Sequence, residues 1–270
     1  FSLAGVSKKA SLGRPHGFND QSQGNLFFQI CRIAEVHRPK ILLLENVKNL
    51  KSHDKGRTWD VIQQSLIDLD YTVFHKIIDA KHWVPQHRER IFIVAFANEH
   101  LEKSRENEFH WPDIDDKEGP AVAEILDPAP NKKYMLGDKT WACLQGHAEN
   151  HREKGNGFGY GLCDTSGVSR TLSARYHKDG AEILITERGW RNPRRLTPSE
   201  AKRLMGFDDH YAKAFSHADG FPICVSDTQA YRQFGNSVVP YVVEYVGRAA
   251  FNYFSNNSRA NVTKTFVQNS

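Results

Sequence analysis

A carboxylate and a group of amide and guanidinium side chains stand beside the two most apolar stretches of the chain. Glu45 follows four apolar residues, Ile-Leu-Leu-Leu at 41–44, and Gln86, Arg88 and Arg90 directly precede a second apolar run at 91–96. The first run predicts a strand buried on both faces, and open α/β sheets bind ligands beyond the carboxyl ends of their strands. Glu45 is therefore expected where a ligand would bind, and a carboxyl group there can move a proton.

Each of these residues also has a structural interpretation. Glu45 could simply end its strand and face water. Gln86, Arg88 and Arg90 could form a surface salt-bridge cluster with Glu89. The two segments by themselves do not choose between these alternatives and a functional site.

The elements that would position these side chains follow from periodicity. Apolar residues at helical spacing predict a helix over 24–37, and Thr58 could cap a second helix. Runs rich in β-formers predict strands at 71–78 and 90–96, which form a hairpin-like pair. Thr197, Pro198 and Glu200 predict a capped helix that ends near 206, and a last helix is predicted over 238–254. This order suits an α/β fold with the second half of a Rossmann-like sheet.

Composition excludes some classes of protein. The chain has 270 residues, and no apolar run approaches the ~20 residues that span a membrane. Its net charge of +4 permits a nucleic-acid partner without requiring one. The cysteines are scattered with no CxxC pair, and the histidines lack ligand spacing, so we expect no metal site and free thiols in a reducing cytoplasm.

Three motifs resemble those of DNA cytosine-5 methyltransferases, in the family's order. They are Glu-Asn-Val at 45–47, Gln-x-Arg-x-Arg at 86–90 and Gln-Phe-Gly-Asn-Ser-Val-Val-Pro at 233–240. Gly-Asn-Gly-Phe-Gly-Tyr-Gly at 155–161 and Arg-Thr-Leu-Ser-Ala-Arg-Tyr at 170–176 resemble the bacterial Dcm group, which modifies sites beginning with CC. The resemblance covers nearly the whole chain. It implies methyl transfer from S-adenosylmethionine to C5 of a flipped cytosine in a short duplex, of CCNGG or CCWGG type, by a bacterial cytoplasmic protein associated with the nucleoid.

The same resemblance implies roles for individual residues. Glu45 would donate to the ring N3 and read the amino group, Arg90 would contact O2, and Arg88 would steady the site or a phosphate. The implied cofactor contacts are Leu26, Asn236, Ser237 and Val238. Leu26 is otherwise most simply a core residue, and Asn236 and Ser237 could merely cap the last helix.

The candidate DNA contacts are Gln86 and residues from several other parts of the chain. A basic, glycine-interrupted N-terminal loop could be a solvated loop or a lid whose Lys and Arg residues meet phosphates. Arginines near 171–172 could read guanine edges. The glycines at 155–161 could serve turns with aromatic packing or a close approach to DNA. The full set is Ser2, Lys8, Lys9, Arg14, Gln86, Arg170, Thr171, Leu172, Arg175 and Tyr176.

The resemblance also implies a domain organisation. It comprises a partial catalytic domain at 1–97, a target-recognition domain with its linker at 98–193, a hinge and return to the catalytic domain at 194–254, and a tail at 255–270.

The resemblance places the nucleophilic cysteine three residues before Phe1, and none of the four cysteines present has a matching context. We therefore expect an N-terminal segment or a partner chain to complete the catalytic domain. The alternatives are an inactive DNA-binding fragment and a tRNA methyltransferase on the same fold, against which the long recognition region argues.

Overall fold

The computed structural model describes residues 25–101, 109–111, 113–114, 119–208 and 220–258, which fall into two compact units. The first unit draws on Phe1–Ile78, Glu89–Asp113 and Tyr245–Ser270, and the second on Asp79–Arg88 and Ile114–Glu244. The segment Asp79–Arg88 connects two strands of the first unit but belongs to the second. The motif at 86–90 is therefore divided between the two units.

Three strands form the sheet of the first unit. They are β1 (Ile41–Val47), β2 (Tyr71–Asp79) and β3 (Glu89–Ala97), in the order β1-β3-β2. Strand β1 is antiparallel to β3, with Ile41 opposite Phe96 and Val47 opposite Arg90. All three strands were predicted from their apolar or β-rich runs, and the structure confirms them.

One face of this sheet is covered by helices α1 (Asn25–His37) and α2 (Arg57–Asp68). Alternate residues of β3 point to this face, because successive side chains of a strand project to opposite sides. The buried cluster consists of Phe27, Ala34, Leu50, Trp59, Ile62, Leu66, Tyr71, Ile91, Ile93, Ala95 and Ala97. The opposite face carries aromatic residues, among which Phe96 packs on Tyr253 with ring centroids 4.7 Å apart. Tyr253 belongs to the last helix, α6 (Pro240–Asn257).

Two local predictions in this unit were wrong. Strand β1 is not buried on both faces, since Leu43 is 36% exposed. In the described part of the chain β1 is bonded to β3 alone, and no described strand pairs with its outer edge. Thr58 does not cap α2, because the helix already begins at Arg57 after Gly56, which has a φ of 93°. Thr58 is instead buried, with its hydroxyl 2.7 Å from a ring nitrogen of His53.

The second unit contains little regular structure. It has α3 (Asp138–Glu153), the antiparallel pair β4 (Leu184–Ile185) and β5 (Arg194–Arg195), α4 (Pro198–Leu204) and α5 (Asp227–Asn236). The predicted capping box of α4 is confirmed. The Thr197 hydroxyl accepts from the Glu200 backbone N–H at 3.1 Å, and the Glu200 carboxylate accepts from the Thr197 N–H at 2.7 Å. The helices α3 and α5 were not predicted.

A buried ion pair fixes the start of α4. The side chains of Arg194 and Glu200 are both 0% exposed, and two guanidinium nitrogens donate to the two carboxylate oxygens at 2.7 and 2.9 Å. Arg194 also donates through Nε to Glu187 at 2.7 Å. Burial lowers the pKa of Arg194, but the bonds to Glu200 and Glu187 outweigh it and raise the pKa overall. Arg194 therefore stays charged, and its charge-assisted bonds tie β5 to α4.

Candidate active site and recognition loop

The sheet edge brings Glu45 and Arg90 together. Because β1 and β3 are antiparallel, the carboxyl end of β1 and the first residues of β3 lie at the same end of the sheet. We call this end, where the strand termini lie, the sheet edge. Glu45 lies opposite Phe92, two residues along β3 from Arg90, so both charged side chains project from the same face. Arg90 Nε lies 3.1 Å from Glu45 Oε1, and their side chains are 17% and 29% exposed.

The environment of this pair favours polar chemistry at the edge. Burial lowers the pKa of Arg90 more than the charge of Glu45 raises it, so the pKa lies below its ordinary value. An arginine so placed remains a cation, because its ordinary pKa lies far above neutrality. The pair thus offers a carboxyl group and a guanidinium side by side, with part of the carboxyl surface open to a ligand. A ring carrying adjacent nitrogen and carbonyl groups could bond to both.

The alternative of a surface salt-bridge cluster with Glu89 does not match this geometry. Arg90 pairs with the Glu45 side chain, and it contacts Glu89 only through a bond to the backbone carbonyl at 2.8 Å. The Glu89 side chain pairs with Lys48 instead, and both of those groups are largely exposed.

Arg88 has a different environment from Arg90. Its side chain is 3% exposed and donates three bonds to backbone carbonyls, of Leu172 at 2.9 Å, Gly235 at 3.0 Å and Ser237 at 2.6 Å. All four residues belong to the second unit. This guanidinium is occupied by the protein's own backbone, so the expectation that it meets a phosphate was wrong. A role in steadying the site is compatible with the contacts.

Gln86 is also buried. It is 0% exposed, its Nε2 donates to the Leu204 carbonyl at 2.8 Å, and its Oε1 accepts from the Leu172 N–H at 3.1 Å. The adjacent backbone runs beside Ser169, whose carbonyl accepts from the His87 N–H at 2.9 Å. Gln86 therefore holds protein backbone, and the expectation that it contacts DNA was wrong.

Asp79 anchors the start of this segment. Its carboxylate accepts from the backbone N–H of Arg88 at 2.9 Å and of Lys81 at 3.2 Å, and lies 2.8 Å from Nδ1 of His87. Burial raises the pKa of Asp79, but these hydrogen bonds outweigh it and lower the pKa below its ordinary value. No motif in the sequence pointed to Asp79, because all of its contacts depend on the folded loop.

We define the recognition loop as residues 169–175. Two of its predicted DNA contacts, Arg170 and Arg175, are exposed, and Thr171 is half-buried with its hydroxyl bonded to the His87 carbonyl. Leu172 is 0% exposed, and so is Tyr176, which follows the loop. The Tyr176 hydroxyl donates to the Ile183 carbonyl and accepts from the Leu196 N–H, both at 2.7 Å. Contacts of Leu172 and Tyr176 with DNA were therefore wrong predictions. Ser2, Lys8, Lys9 and Arg14 lie outside the described residues.

We define the cofactor loop as residues 235–238, the last two residues of α5 and the first two after it. Asn236 is the last residue of α5 and is exposed, while Ser237 donates its hydroxyl to the Phe234 carbonyl at 2.7 Å. These two residues therefore end α5, and the alternative that they cap the last helix was wrong. Val238 is half-buried. Gly235, which was not singled out, packs so closely on the backbone of Ser173 that a Cβ would lie 2.3 Å from its carbonyl oxygen.

Leu26 lies on α1 in the first unit. Its side chain is 68% exposed, so the interpretation of Leu26 as a core residue was wrong. Ile33 and Val36 on the same helix are 52% and 70% exposed. Helix α1 thus buries Phe27 and Ala34 and presents a second apolar surface to solvent.

No other cluster of side chains that the structure describes gives a comparable geometry. Among the described residues no three metal-ligating side chains converge, and no helix is both long and apolar enough to cross a bilayer. Cys31 packs against the helix-covered side of the sheet together with Leu44, whereas Glu45 projects from the other side. Burial raises the pKa of the Cys31 thiol, which disfavours the thiolate.

Comparison with solved structures identifies the fold. The Dnmt2 methyltransferase of S. pombe superimposes with a TM-score of 0.61 over 86% of this chain and 72% of that one, at 18% identity. A mutant DNMT2 of Spodoptera frugiperda also gives 0.61, over 83% and 71%, at 18% identity. The fold is that of the Rossmann-like, S-adenosylmethionine-dependent methyltransferases.

Sequence comparison gives the family. Residues 4–252 match the model of the C-5 cytosine-specific DNA methylases, and the chain belongs to that family. The DNA-cytosine methyltransferase of Escherichia coli K12 is 48% identical over 92% of this chain and 57% of that protein. The type II methyltransferase M.SsoII of Shigella sonnei is 45% identical over 91% and 59%. The chain thus spans less than two thirds of the length of these relatives.

Proposed function

We propose that this chain carries the base-binding and recognition parts of a DNA (cytosine-5-)-methyltransferase. The substrate is C5 of a flipped cytosine in a short duplex site beginning with CC, of CCNGG or CCWGG type. The single observation that carries the proposal is the Glu45–Arg90 pair at the sheet edge, in a chain of the C-5 cytosine-specific family. The relatives named as DNA-cytosine methyltransferases support the substrate class.

The pair suits the reaction because cytosine C5 is a poor nucleophile. A thiolate must add to C6, which converts the ring into an enamine able to attack a methyl group at C5. As the thiolate adds, a protonated Glu45 donates its hydrogen to N3, while its second oxygen accepts from the amino group. Arg90 donates to O2, where negative charge develops. Both side chains stand on paired strands, so the donors are positioned before the reaction. Loss of the C5 proton, return of the N3 proton to Glu45 and departure of the thiolate then restore the aromatic ring and the starting carboxyl group.

S-adenosylmethionine, when bound, supplies the methyl group. The residues present suit an amino-acid nucleoside: Leu26 offers an exposed apolar side chain and Asn236 an exposed amide, while Ser237 and Val238 line the loop between two helices. We assign these four residues to the cofactor. Asn236 and Ser237 offer amide and hydroxyl groups for its polar parts, and the apolar side chains offer surface for its adenine ring.

The nucleophile and the rest of the catalytic domain are proposed to come from an N-terminal segment or a partner chain. Three observations support this. The outer edge of β1 has no partner strand in the described residues, and α1 exposes Leu26, Ile33 and Val36. The one cysteine of the first unit, Cys31, faces the wrong side of the sheet for Glu45. Unpaired strand edges with apolar surroundings readily accept another strand.

The region at 98–193 is proposed to recognise the duplex, with 194–254 as the return to the catalytic part. Arg170 and Arg175 are exposed on the recognition loop, and a guanidinium can bond to two acceptors of a guanine. Thr171 ties the same loop to the backbone of His87. Ser2, Lys8, Lys9 and Arg14 are proposed to meet phosphates, and the flipped base requires an opened duplex in front of Glu45.

A methyl-transfer assay tests this function. The chain alone, and the chain joined to the N-terminal segment of its E. coli relative, are incubated with tritiated S-adenosylmethionine and a CC-containing duplex. We expect transfer only by the joined protein, and bisulfite sequencing should place the label on a cytosine of the CC site. A duplex with both cytosines replaced, and a tRNA, are the controls. Binding without transfer by either protein would favour the inactive fragment, and transfer to tRNA alone would overturn the DNA assignment.

A further inference from the structure

A single buried guanidinium links the two loops of the second unit. Nη1 of Arg88 donates to the carbonyl of Leu172 in the recognition loop at 2.9 Å. Nη2 donates to the carbonyls of Gly235 and Ser237 in the cofactor loop at 3.0 and 2.6 Å. The planar guanidinium is rigid, so its two donor nitrogens keep a fixed separation and orientation. The carbonyls on the two loops are therefore held at a defined spacing.

The loops also touch each other directly. The Cα of Gly235 faces the peptide between Ser173 and Ala174, where an added Cβ would lie 2.3 Å from the Ser173 oxygen and 2.5 Å from the Ala174 nitrogen. These are backbone atoms, which cannot move aside as a flexible side chain would. A shift of the cofactor loop towards the recognition loop would therefore move both.

The recognition loop is held from its other side as well. The N–H of Leu172 donates to Gln86 at 3.1 Å. The backbone N–H and carbonyl of the buried Leu172 are therefore bound by Gln86 and Arg88, which are two residues apart in the chain. Buried backbone groups need such partners, and each one lost leaves a desolvated polar atom. Arg88 and Gln86 thus hold Leu172 from both sides, and the exposed Arg170 and Arg175 lie on either side of it in the recognition loop.

We propose that Arg88 is a positioning residue that couples the cofactor loop to the recognition loop. A ligand that orders Ser237 holds Arg88, Arg88 holds Leu172, and the flanking arginines are presented to the duplex in one arrangement. This inference rests on the proposed function, since it takes S-adenosylmethionine and duplex DNA as the two ligands. By thermodynamic reciprocity, the duplex must tighten the cofactor by the same factor that the cofactor tightens the duplex.

The test measures duplex affinity with and without a cofactor analogue. The joined protein binds a fluorescent CC-containing duplex in the absence and presence of saturating S-adenosylhomocysteine, which has no methyl group to transfer. We expect the analogue to tighten binding by about 5-fold or more in the unaltered protein. In Arg88→Lys the ratio should fall below about 2-fold, because a single ammonium cannot span both loops.

Arg203→Lys is the matched control. Arg203 is a half-buried arginine of the same unit, bonded to the Ile125 carbonyl and to Asp127, neither of which belongs to either loop. Its replacement should leave the binding ratio at the value of the unaltered protein. Thermal unfolding of both variants separates a loss of folding from a loss of coupling, since a merely structural role of Arg88 would lower stability without changing the ratio.

The outcomes separate this inference from the function on which it rests. A joined protein that binds neither duplex nor analogue would refute the proposed function. Binding of both with a ratio near one, or an unchanged ratio in Arg88→Lys, would overturn the coupling alone. If that variant does not fold, amide hydrogen exchange of the unaltered protein decides: the analogue should slow exchange at 169–175, and unchanged exchange there would overturn the coupling.

Discussion

The isosteric substitution Glu45→Gln removes the proton donor at the sheet edge and keeps the shape of the side chain. In the unaltered protein, Oε1 of Glu45 lies 3.1 Å from Nε of Arg90, and the side chains of Arg90 and Glu45 are 17% and 29% exposed. Glutamine preserves a carbonyl oxygen for Arg90, so the packing at the strand ends should survive. What is lost is the negative charge beside Arg90 and the ability to donate a proton to N3.

The structure allows the two consequences to be ranked. Partly exposed ion pairs contribute up to about 1 kcal/mol, so the variant should lose no more than that in the free energy of unfolding. A positioned general acid contributes roughly 10²–10⁴-fold to a rate, which corresponds to about 3–5 kcal/mol of barrier. Loss of stability is therefore too small to account for the expected loss of methyl transfer.

Single-turnover methyl transfer and duplex binding should be measured on the joined protein, with Glu89→Gln as the control. Glu89 begins the strand that carries Arg90, but its side chain is 41% exposed and pairs with Lys48 at the surface. We expect Glu45→Gln to lose at least about 100-fold in transfer and less than about 5-fold in duplex binding, and Glu89→Gln to change neither. Equal losses of transfer and binding in Glu45→Gln would refute the assignment of Glu45 as the acid.

Three further predictions follow from separate contacts. Arg175→Ala should leave stability unchanged but weaken discrimination among duplex sites by about 1–3 kcal/mol, measured by competition between sites; unchanged preference would remove Arg175 from recognition. Tyr176→Phe should destabilise the protein by about 1–3 kcal/mol in chemical denaturation, because the Leu196 N–H and Ile183 carbonyl lose a buried partner; wild-type stability would contradict these bonds. Because the pKa of Asp79 is lowered in the folded protein, its carboxylate stabilises the fold at pH values above the ordinary pKa of 3.8. This contribution is lost as the pH falls through the folded pKa. Asp79→Asn should therefore be less stable near pH 7, with the difference shrinking below about pH 4; a constant difference across pH would contradict it.

Local pattern was sufficient for elements that are marked by a continuous run of apolar or β-forming residues or by a capping box. The three strands follow apolar runs, and α4 follows the capping box of Thr197 and Glu200. Helix α3 has no buried residue, so it carries no apolar stripe for periodicity to detect. Helix α5 did have a signal, because Ser226 accepts a bond from the Gln229 N–H, and Ser-x-x-Gln is a recognisable helix start.

The site was harder to predict because its contacts join distant parts of the chain. The Gln86 amide bonds to a carbonyl 118 residues further on, and Arg88 to one 149 residues away. No local rule indicates that such polar side chains are buried, so exposure and contact with DNA were the natural expectations. Similarly, Glu45 and Arg90 were each expected at a strand end, but only the antiparallel register of β1 and β3 places them on one face.

The residues of the motif at 86–90 therefore have two different roles, which their regular spacing does not reveal. Side chains two residues apart in an extended chain point the same way, which suggests a single polar surface for Gln86, Arg88 and Arg90. The structure assigns the first two to backbone groups of the second unit, and the third to Glu45 in the first. Substitutions at Gln86 and Arg88 should consequently alter how the recognition loop is held, and a substitution at Arg90 should alter the environment of the base. Loss of duplex discrimination without loss of the chemical step in Gln86→Ala, and the reverse in Arg90→Ala, would distinguish the two roles within five residues of chain.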